Sequence, residues 1–149
     1  MRVLVQRVLG ASVDISGATV GEIDEGLLLF AGFTHGDNSG IVRELANKVI
    51  NLRIFEDAEQ RLQYSVLDSG GAILAVPQFT LYALTNRGRR PDFTQALDPH
   101  SASGLFDQLT EMLDELMGVP VARGKFGADM KVSLVNDGPF TIALQRDPD

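Results

Sequence analysis

The residues best placed to do chemistry in this chain are unreactive ones. Asn136-Asp137-Gly138-Pro139-Phe140-Thr141 sets a Gly-Pro step between two apolar runs, Val132 to Val135 and Ile142 to Leu144. Proline supplies no N–H and fixes its own φ. Glycine lets another chain or a ligand approach its backbone. Such a pair either makes a tight hairpin turn or turns bare carbonyl oxygens outward. A second stretch, Pro77-Gln78-Phe79-Thr80-Leu81-Tyr82-Ala83, ends the most apolar run of the chain. Strand ends present side chains and free N–H groups, and such N–H groups can face a developing oxyanion. Thr80 reads as a nucleophile, a proton donor or a β-former bonded to its own backbone, and no base is assigned beside it. A third stretch, Asn86 to Phe93, carries Arg87, Arg89 and Arg90. It is a basic surface loop or a phosphate-contacting one, since guanidinium forks suit phosphate.

Standard catalytic machinery is missing. His35 and His100 sit in polar settings, without metal-ligand spacing. There is no Gly-x-Ser-x-Gly elbow, Walker loop or Gly-x-Gly-x-x-Gly. An enzyme built this way must work by binding and orientation on an already reactive substrate such as an activated ester.

The positioning elements read as follows. Arg2 to Leu9 alternates as a strand, with Arg7 as its anomaly: an edge charge, or a guanidinium holding a carbonyl or carboxylate. Gly10-Ala11-Ser12 reads as a turn into a second strand at Val13 and Ile15, and Ser16-Gly17 as a turn into Ala18 to Val20. Gly26 to Gly32 is apolar throughout and reads as a central strand covered on both faces. Helical spacing runs from Ile41 to Leu52 and from Ser101 to Met117, the latter stopped by Gly118 and Pro120. Arg53 to Glu56, a weak stretch ending at Val66, Ala72 to Phe79, Val119 to Ala122, Val132 to Val135 and Phe140 to Leu144 read as strands. Pro77 implies a missing ladder partner or a bulge near the end of its strand. Strands without regular helix alternation give an α+β fold. The expectation is a single compact domain over residues 1–149, with a mostly antiparallel or mixed sheet forming a barrel-like core and two main helices.

The 149 residues suffice for a real core, and 44 % hydrophobic content argues against disorder. With no cysteine there is no disulfide, thiolate metal site or cysteine nucleophile. The opening residues do not read as a signal peptide, and no apolar run has membrane-spanning length, so a cytoplasmic location without membrane association is expected. A net charge of −7 argues against broad nucleic-acid binding but leaves room for a local basic patch.

Together the stretches closely resemble one family, the D-aminoacyl-tRNA deacylases of the bacterial and eukaryotic type. The matching residues are Gln6-Arg7-Val8, Arg53-Ile54-Phe55, Gln78-Phe79-Thr80-Leu81, and Arg87-Gly88 with Arg90-Pro91 and Phe93. Gly124-Lys125-Phe126-Gly127-Ala128-Asp129-Met130 and Val135 to Thr141 complete the set. The resemblance implies a homodimer with active sites at the subunit interface. Each subunit would insert a cis Gly138-Pro139 step into its partner's site, where the two carbonyls hold the substrate's α-amino group. Arg7 would fix their direction, Met130 would join in substrate binding, and Gln78, Phe79 and Thr80 would face the ester carbonyl. The terminal 2′-hydroxyl of the tRNA would assist attack, with neither metal nor cofactor. The implied reaction is hydrolysis of D-aminoacyl-tRNA, with glycyl-tRNA not excluded. The other readings are a non-catalytic tRNA-binding module and a hydrolase of another small activated ester. The family usually has Ser before the Gln; Pro77 lacks both that hydroxyl and an N–H. Activity is expected to survive if the donors are the amides of residues 78 to 80.

Overall fold

The computed structural model describes residues 1–149. Its backbone runs β1 (Arg2–Ile15), β2 (Ala18–Ile23), β3 (Gly26–Gly32), α1 (Ser39–Asn51), β4 (Phe55–Glu56), β5 (Leu62–Tyr64), α2 (Val66–Ser69), β6 (Ala72–Pro77), a 3-10 turn (Phe79–Tyr82), α3 (Pro99–Met117), β7 (Ala122–Arg123) and β8 (Lys131–Gln145). The main sheet orders β2-β1-β3-β6-β7, with β8 on β1. β1 is antiparallel to β2, β3 and β8, whereas β3–β6 and β6–β7 are parallel. The sheet is mixed and α+β, and it curls until β2 approaches β6 and β7. Gly21 makes that near-closure possible: a Cβ there would stand 3.1 Å from the Arg123 carbonyl. The barrel-like core is as expected; the helices number three, because four-residue α2 lies where the sequence suggests the end of a weak strand.

Alternation explains the two cores. Leu27, Leu29 and Ala31 of β3, with Ile73 and Ala75 of β6, pack toward α1 and α3. Leu28, Leu74 and Val76 point the other way, into the barrel, against Val8, Val13 and Ile23. Both strands are thus covered on two faces. α1 begins at Asn38, whose side chain accepts from Gly40 N (2.9 Å) and Ile41 N (3.3 Å). It buries Ile41, Val42, Leu45, Ala46, Val49 and Ile50. α3 opens on Pro99 behind the cap Asp98, which accepts from Ser101 N at 3.0 Å, and closes on Gly118 at φ +70°. No helix is long and apolar enough to cross a membrane.

Two stretches differ from the sequence expectation for one reason. Gly10-Ala11-Ser12 does not turn the chain: β1 is one strand of 14 residues. Val132–Val135 and Phe140–Leu144 are not separate strands: β8 is one strand of 15 residues. The β1–β8 ladder pairs Gln6 with Thr141 and Val8 with Asn136. Asp137, Gly138, Pro139 and Phe140 therefore bulge out opposite Arg7 alone. A bulge and a turn recruit the same residue types, so composition cannot separate them. β8 pairs only with β1, so its far edge meets no other strand.

Candidate active site

The bulge is held from below by Arg7, which is 6 % exposed. Its Nη1 donates to Ile54 O at 2.6 Å and its Nε to Asp137 O at 3.2 Å. The same Nε lies 3.3 Å from the Asp137 carboxylate, and Nη2 lies 3.8 Å from Glu56. The guanidinium also stacks over the Phe140 ring, 4.9 Å from its centroid. Arg7 is therefore a buried clamp, not an edge charge. It grips the carbonyl of Asp137, one residue before the Gly-Pro step. From above, the Asn136 side chain closes the bulge by accepting Phe140 N at 2.6 Å and donating to Thr141 Oγ1 at 3.0 Å. Between these pins Gly138 and Pro139 are exposed, and neither pairs with a residue of β1. The bond joining them is cis.

The end of β6 forms the second half. Gln78 N donates to Ala31 O at 2.7 Å. Consecutive N–H groups of a strand point to opposite sides, so an N–H at residue 77 would face β7. There the ladder has already finished, with Gly124 N on Ala75 O at 2.8 Å. Pro77 thus falls just past the last paired residues of that ladder, where a missing N–H interrupts no further pairing of β7. The chain then tightens into the 3-10 turn, whose first two amides, Phe79 and Thr80, donate to no protein acceptor. Of the three amides expected as donors, that of Gln78 is committed to β3 and two are free. The Gln78 side chain donates to Thr80 Oγ1. No base is hydrogen-bonded to Thr80. Arg2 holds the far end of the turn: its Nη1 donates to Leu81 O at 2.7 Å and its guanidinium covers the Tyr82 ring at 4.4 Å. Burial, reinforced by Asp37, pushes the Tyr82 phenol far above its ordinary pKa.

Gln78, Phe79 and Met130 line one cavity of about 350 Å³, with Pro77, Phe126 and Val132. Thr80, Arg7, Gly138 and Pro139 do not line it. The chain therefore presents two separate features. The first is a mainly apolar cavity beside free amides; the second is an exposed carbonyl-bearing bulge outside that cavity.

A family model described as D-Tyr-tRNA(Tyr) deacylase matches residues 4–145. The chain belongs to that family. Relatives agree with this deacylase assignment. D-aminoacyl-tRNA deacylase of Thermomicrobium roseum is 52 % identical over 144 residues, covering 97 % of this chain and 93 % of the relative. That of Chloroherpeton thalassium is 50 % identical over 145 residues, covering 97 % and 95 %. Among solved structures, the c-Myc DNA Unwinding Element Binding Protein superposes with a TM-score of 0.92 at 35 % identity, covering 99 % of each chain.

The packing roles of two glycines in this deacylase chain were not legible in the sequence. A Cβ on Gly32 would stand 2.7 Å from Gln78 O and 3.1 Å from Leu81 Cβ, so the glycine lets the 3-10 turn sit down on β3. A Cβ on Gly124 would stand 2.7 Å from Met130 Sδ, so that glycine lets Met130 reach the cavity. Both end apolar or turn-like segments, a signal that reads as simple punctuation until the neighbour across the fold is known.

Proposed function

We propose that the chain hydrolyses the ester bond of D-aminoacyl-tRNA, releasing the D-amino acid and tRNA, from sites completed between two copies. The observation that carries this reading is the Gly138-Pro139 bulge, pinned by Arg7 and Asn136 yet exposed and away from its own cavity. A second copy would bring that bulge to the partner's Gln78–Phe79–Thr80 end. The unpaired edge of β8 favours such pairing, as do the exposed Leu9, Leu134 and Val135, the last 57 % exposed.

In this arrangement the carbonyls of Gly138 and Pro139 accept hydrogen bonds from the substrate's α-ammonium. The amides of Phe79 and Thr80 donate to the ester carbonyl oxygen as it gains charge. Water, assisted by the terminal 2′-hydroxyl, attacks that carbon. The tetrahedral intermediate collapses with cleavage of the bond to the 3′ oxygen, which leaves on tRNA and takes a proton. Amine and ester being fixed, a D side chain points to solvent and an L side chain strikes the Gly-Pro wall. Glycine meets no wall, so glycyl-tRNA passes. The same chemistry suits a soluble protein working in the cytoplasm, where aminoacyl-tRNA is used.

The test is incubation of purified protein with D-tyrosyl-tRNA in the presence of chelator. Release of free D-tyrosine is expected. Binding without release would point to a non-catalytic tRNA-binding module, and equal turnover of simple esters to a general esterase. A substrate ending in 2′-deoxyadenosine is expected to turn over about 100-fold more slowly. Normal turnover of it would return the nucleophile's role to a protein group, Thr80 first. Gly32→Ala is expected to lift the 3-10 turn and lower kcat/KM about tenfold or more while costing about 1–3 kcal/mol of stability. Hydrolysis rates and thermal melts on the same preparation check both parts.

A further inference from the structure

A second cavity, of about 280 Å³, opens beside the first and shares Phe79, Pro99 and Phe126 with it. Its remaining lining is Phe93, Ala96, Leu97 and Asp98. Phe79 and Phe93 meet edge to face with ring centroids 5.0 Å apart, and are 52 % and 36 % exposed. Two large aromatic rings left half in water are uncommon unless something covers them. Asp98 is occupied as the α3 cap, so the cleft is otherwise apolar.

Phe93 is held where it is. Thr34 bridges Ala96, Thr34 Oγ1 donates to Gln95 O at 2.6 Å, and Leu97 N donates to Phe33 O at 2.9 Å. A His35 ring nitrogen lies 3.1 Å from Thr94 O. The segment after Phe93 is thereby laced to the end of β3. The segment before it is the arginine loop, closed at its base by Leu84 N to Asp92 O (2.7 Å) and Asp92 N to Leu84 O (2.9 Å). Arg87, Arg89 and Arg90 are exposed on that loop, and no salt bridge engages any of them. The result is an aromatic cleft next to the cavity, with three unpaired guanidiniums on the loop that leads into it. In a chain of net charge −7 this concentration of free positive charge matches a polyanion.

We propose that this cleft is a stacking subsite for the base immediately before the terminal adenosine of tRNA, with the arginine loop on the adjoining phosphates. The proposal rests on the deacylase reading and adds to it a site for the unpaired nucleotides upstream of the reacting one. Aromatic faces beside a basic track are the physical means by which single strands are held without base pairing. Continuity with the first cavity sets the order. The nucleotide bearing the ester enters the first cavity, and its neighbour reaches the Phe79–Phe93 pair. The arginines follow the backbone away from the site.

The experiment compares Phe93→Leu, Phe93→Tyr and the triple change Arg87→Gln, Arg89→Gln, Arg90→Gln with the unaltered protein. Two substrates are used: D-tyrosyl-tRNA and the mononucleoside ester D-tyrosyl-adenosine. Phe93→Leu keeps the apolar bulk and removes the ring. It is expected to lower kcat/KM on the tRNA about tenfold and leave the mononucleoside ester unaffected. Phe93→Tyr is expected to restore the tRNA rate. The triple change is expected to flatten the dependence of log affinity on log salt by about 2, read by anisotropy of a labelled single strand ending in CCA. Equal loss on both substrates, or no loss on tRNA, overturns the subsite. Failure of the unaltered protein to cleave D-tyrosyl-tRNA overturns the deacylase reading instead. The anisotropy arm still decides the subsite in that case: Phe93-dependent binding of the CCA strand upholds it, and Phe93-independent or absent binding overturns it.

Discussion

Arg7→Met is expected to lower kcat/KM for D-aminoacyl-tRNA by about 100-fold or more and to destabilise the fold by about 3 kcal/mol. Methionine keeps the aliphatic stem and its packing beneath Phe140. It removes the donors that reach two backbone carbonyls from distant parts of the chain, Ile54 O and Asp137 O. The bond to Ile54 O is buried, so its acceptor would be left without a partner. The Asp137 carboxylate is 44 % exposed and can be rehydrated, so it adds little to the loss. The bulge, released on one side, would no longer aim its carbonyls. Arg7→Lys separates charge from geometry, because a single ammonium cannot serve both carbonyls in the way a planar fork does. It is expected to recover part of the stability and little of the activity. Denaturant titration and D-tyrosyl-tRNA hydrolysis on both variants provide the check, and full activity in Arg7→Lys would refute the clamp.

Gly138→Ala is expected to lower D-ester cleavage by about 100-fold or more with a stability loss of about 1–3 kcal/mol. Gly138 sits at φ +133°, a conformation that side-chain-bearing L residues rarely adopt. An added Cβ would stand 3.0 Å from Phe140 N and 3.4 Å from Arg7 Nη2. Phe140 N is already committed to Asn136 Oδ1 and Arg7 to Asp137. The backbone at 138 must therefore rotate, and its carbonyl with it. Because Gly138 itself lies outside the ladder and both cores, the rest of the fold should persist. A cooperative melt lowered only by that stability loss, with hydrolysis down by about 100-fold, is the expected pair of results. If the site is completed by a second copy, mixing Gly138→Ala with Gly32→Ala protein should raise turnover above that of either alone, since one site of each mixed pair carries both intact halves.

Much of the scaffold was legible because local rules and tertiary packing agree. Gly26 to Gly32 reads as a doubly covered strand and is one. The α1 face read from Ile41 to Ile50 is the buried face. Apart from α2, the misreadings described above sit where one strand had to bend without ending. Gly10 and the Gly138-Pro139 step look like turns because breaking a ladder locally and reversing it need the same residues. Only the partner, Arg7 facing four residues of β8, tells them apart. Arg7 itself was visible as an anomaly, but its burial depends on acceptors 47 and 130 residues away. The role of Gly32 was hidden for the same reason: its significance is the carbonyl of Gln78 beside it. Thr80 was singled out by type, and the structure gives it a partner in Gln78 and no base.

The central claim is that main-chain groups at Gly138 and Pro139, and no reactive side chain, distinguish the two hands of the substrate. Turnover of D-tyrosyl-, L-tyrosyl- and glycyl-tRNA, made on the same tRNA and measured with the same enzyme in chelator, tests it most directly. The account predicts rapid release from the D ester, release from the glycyl ester, and none above the uncatalysed rate from the L ester. Release of L-tyrosine at the D rate would contradict it.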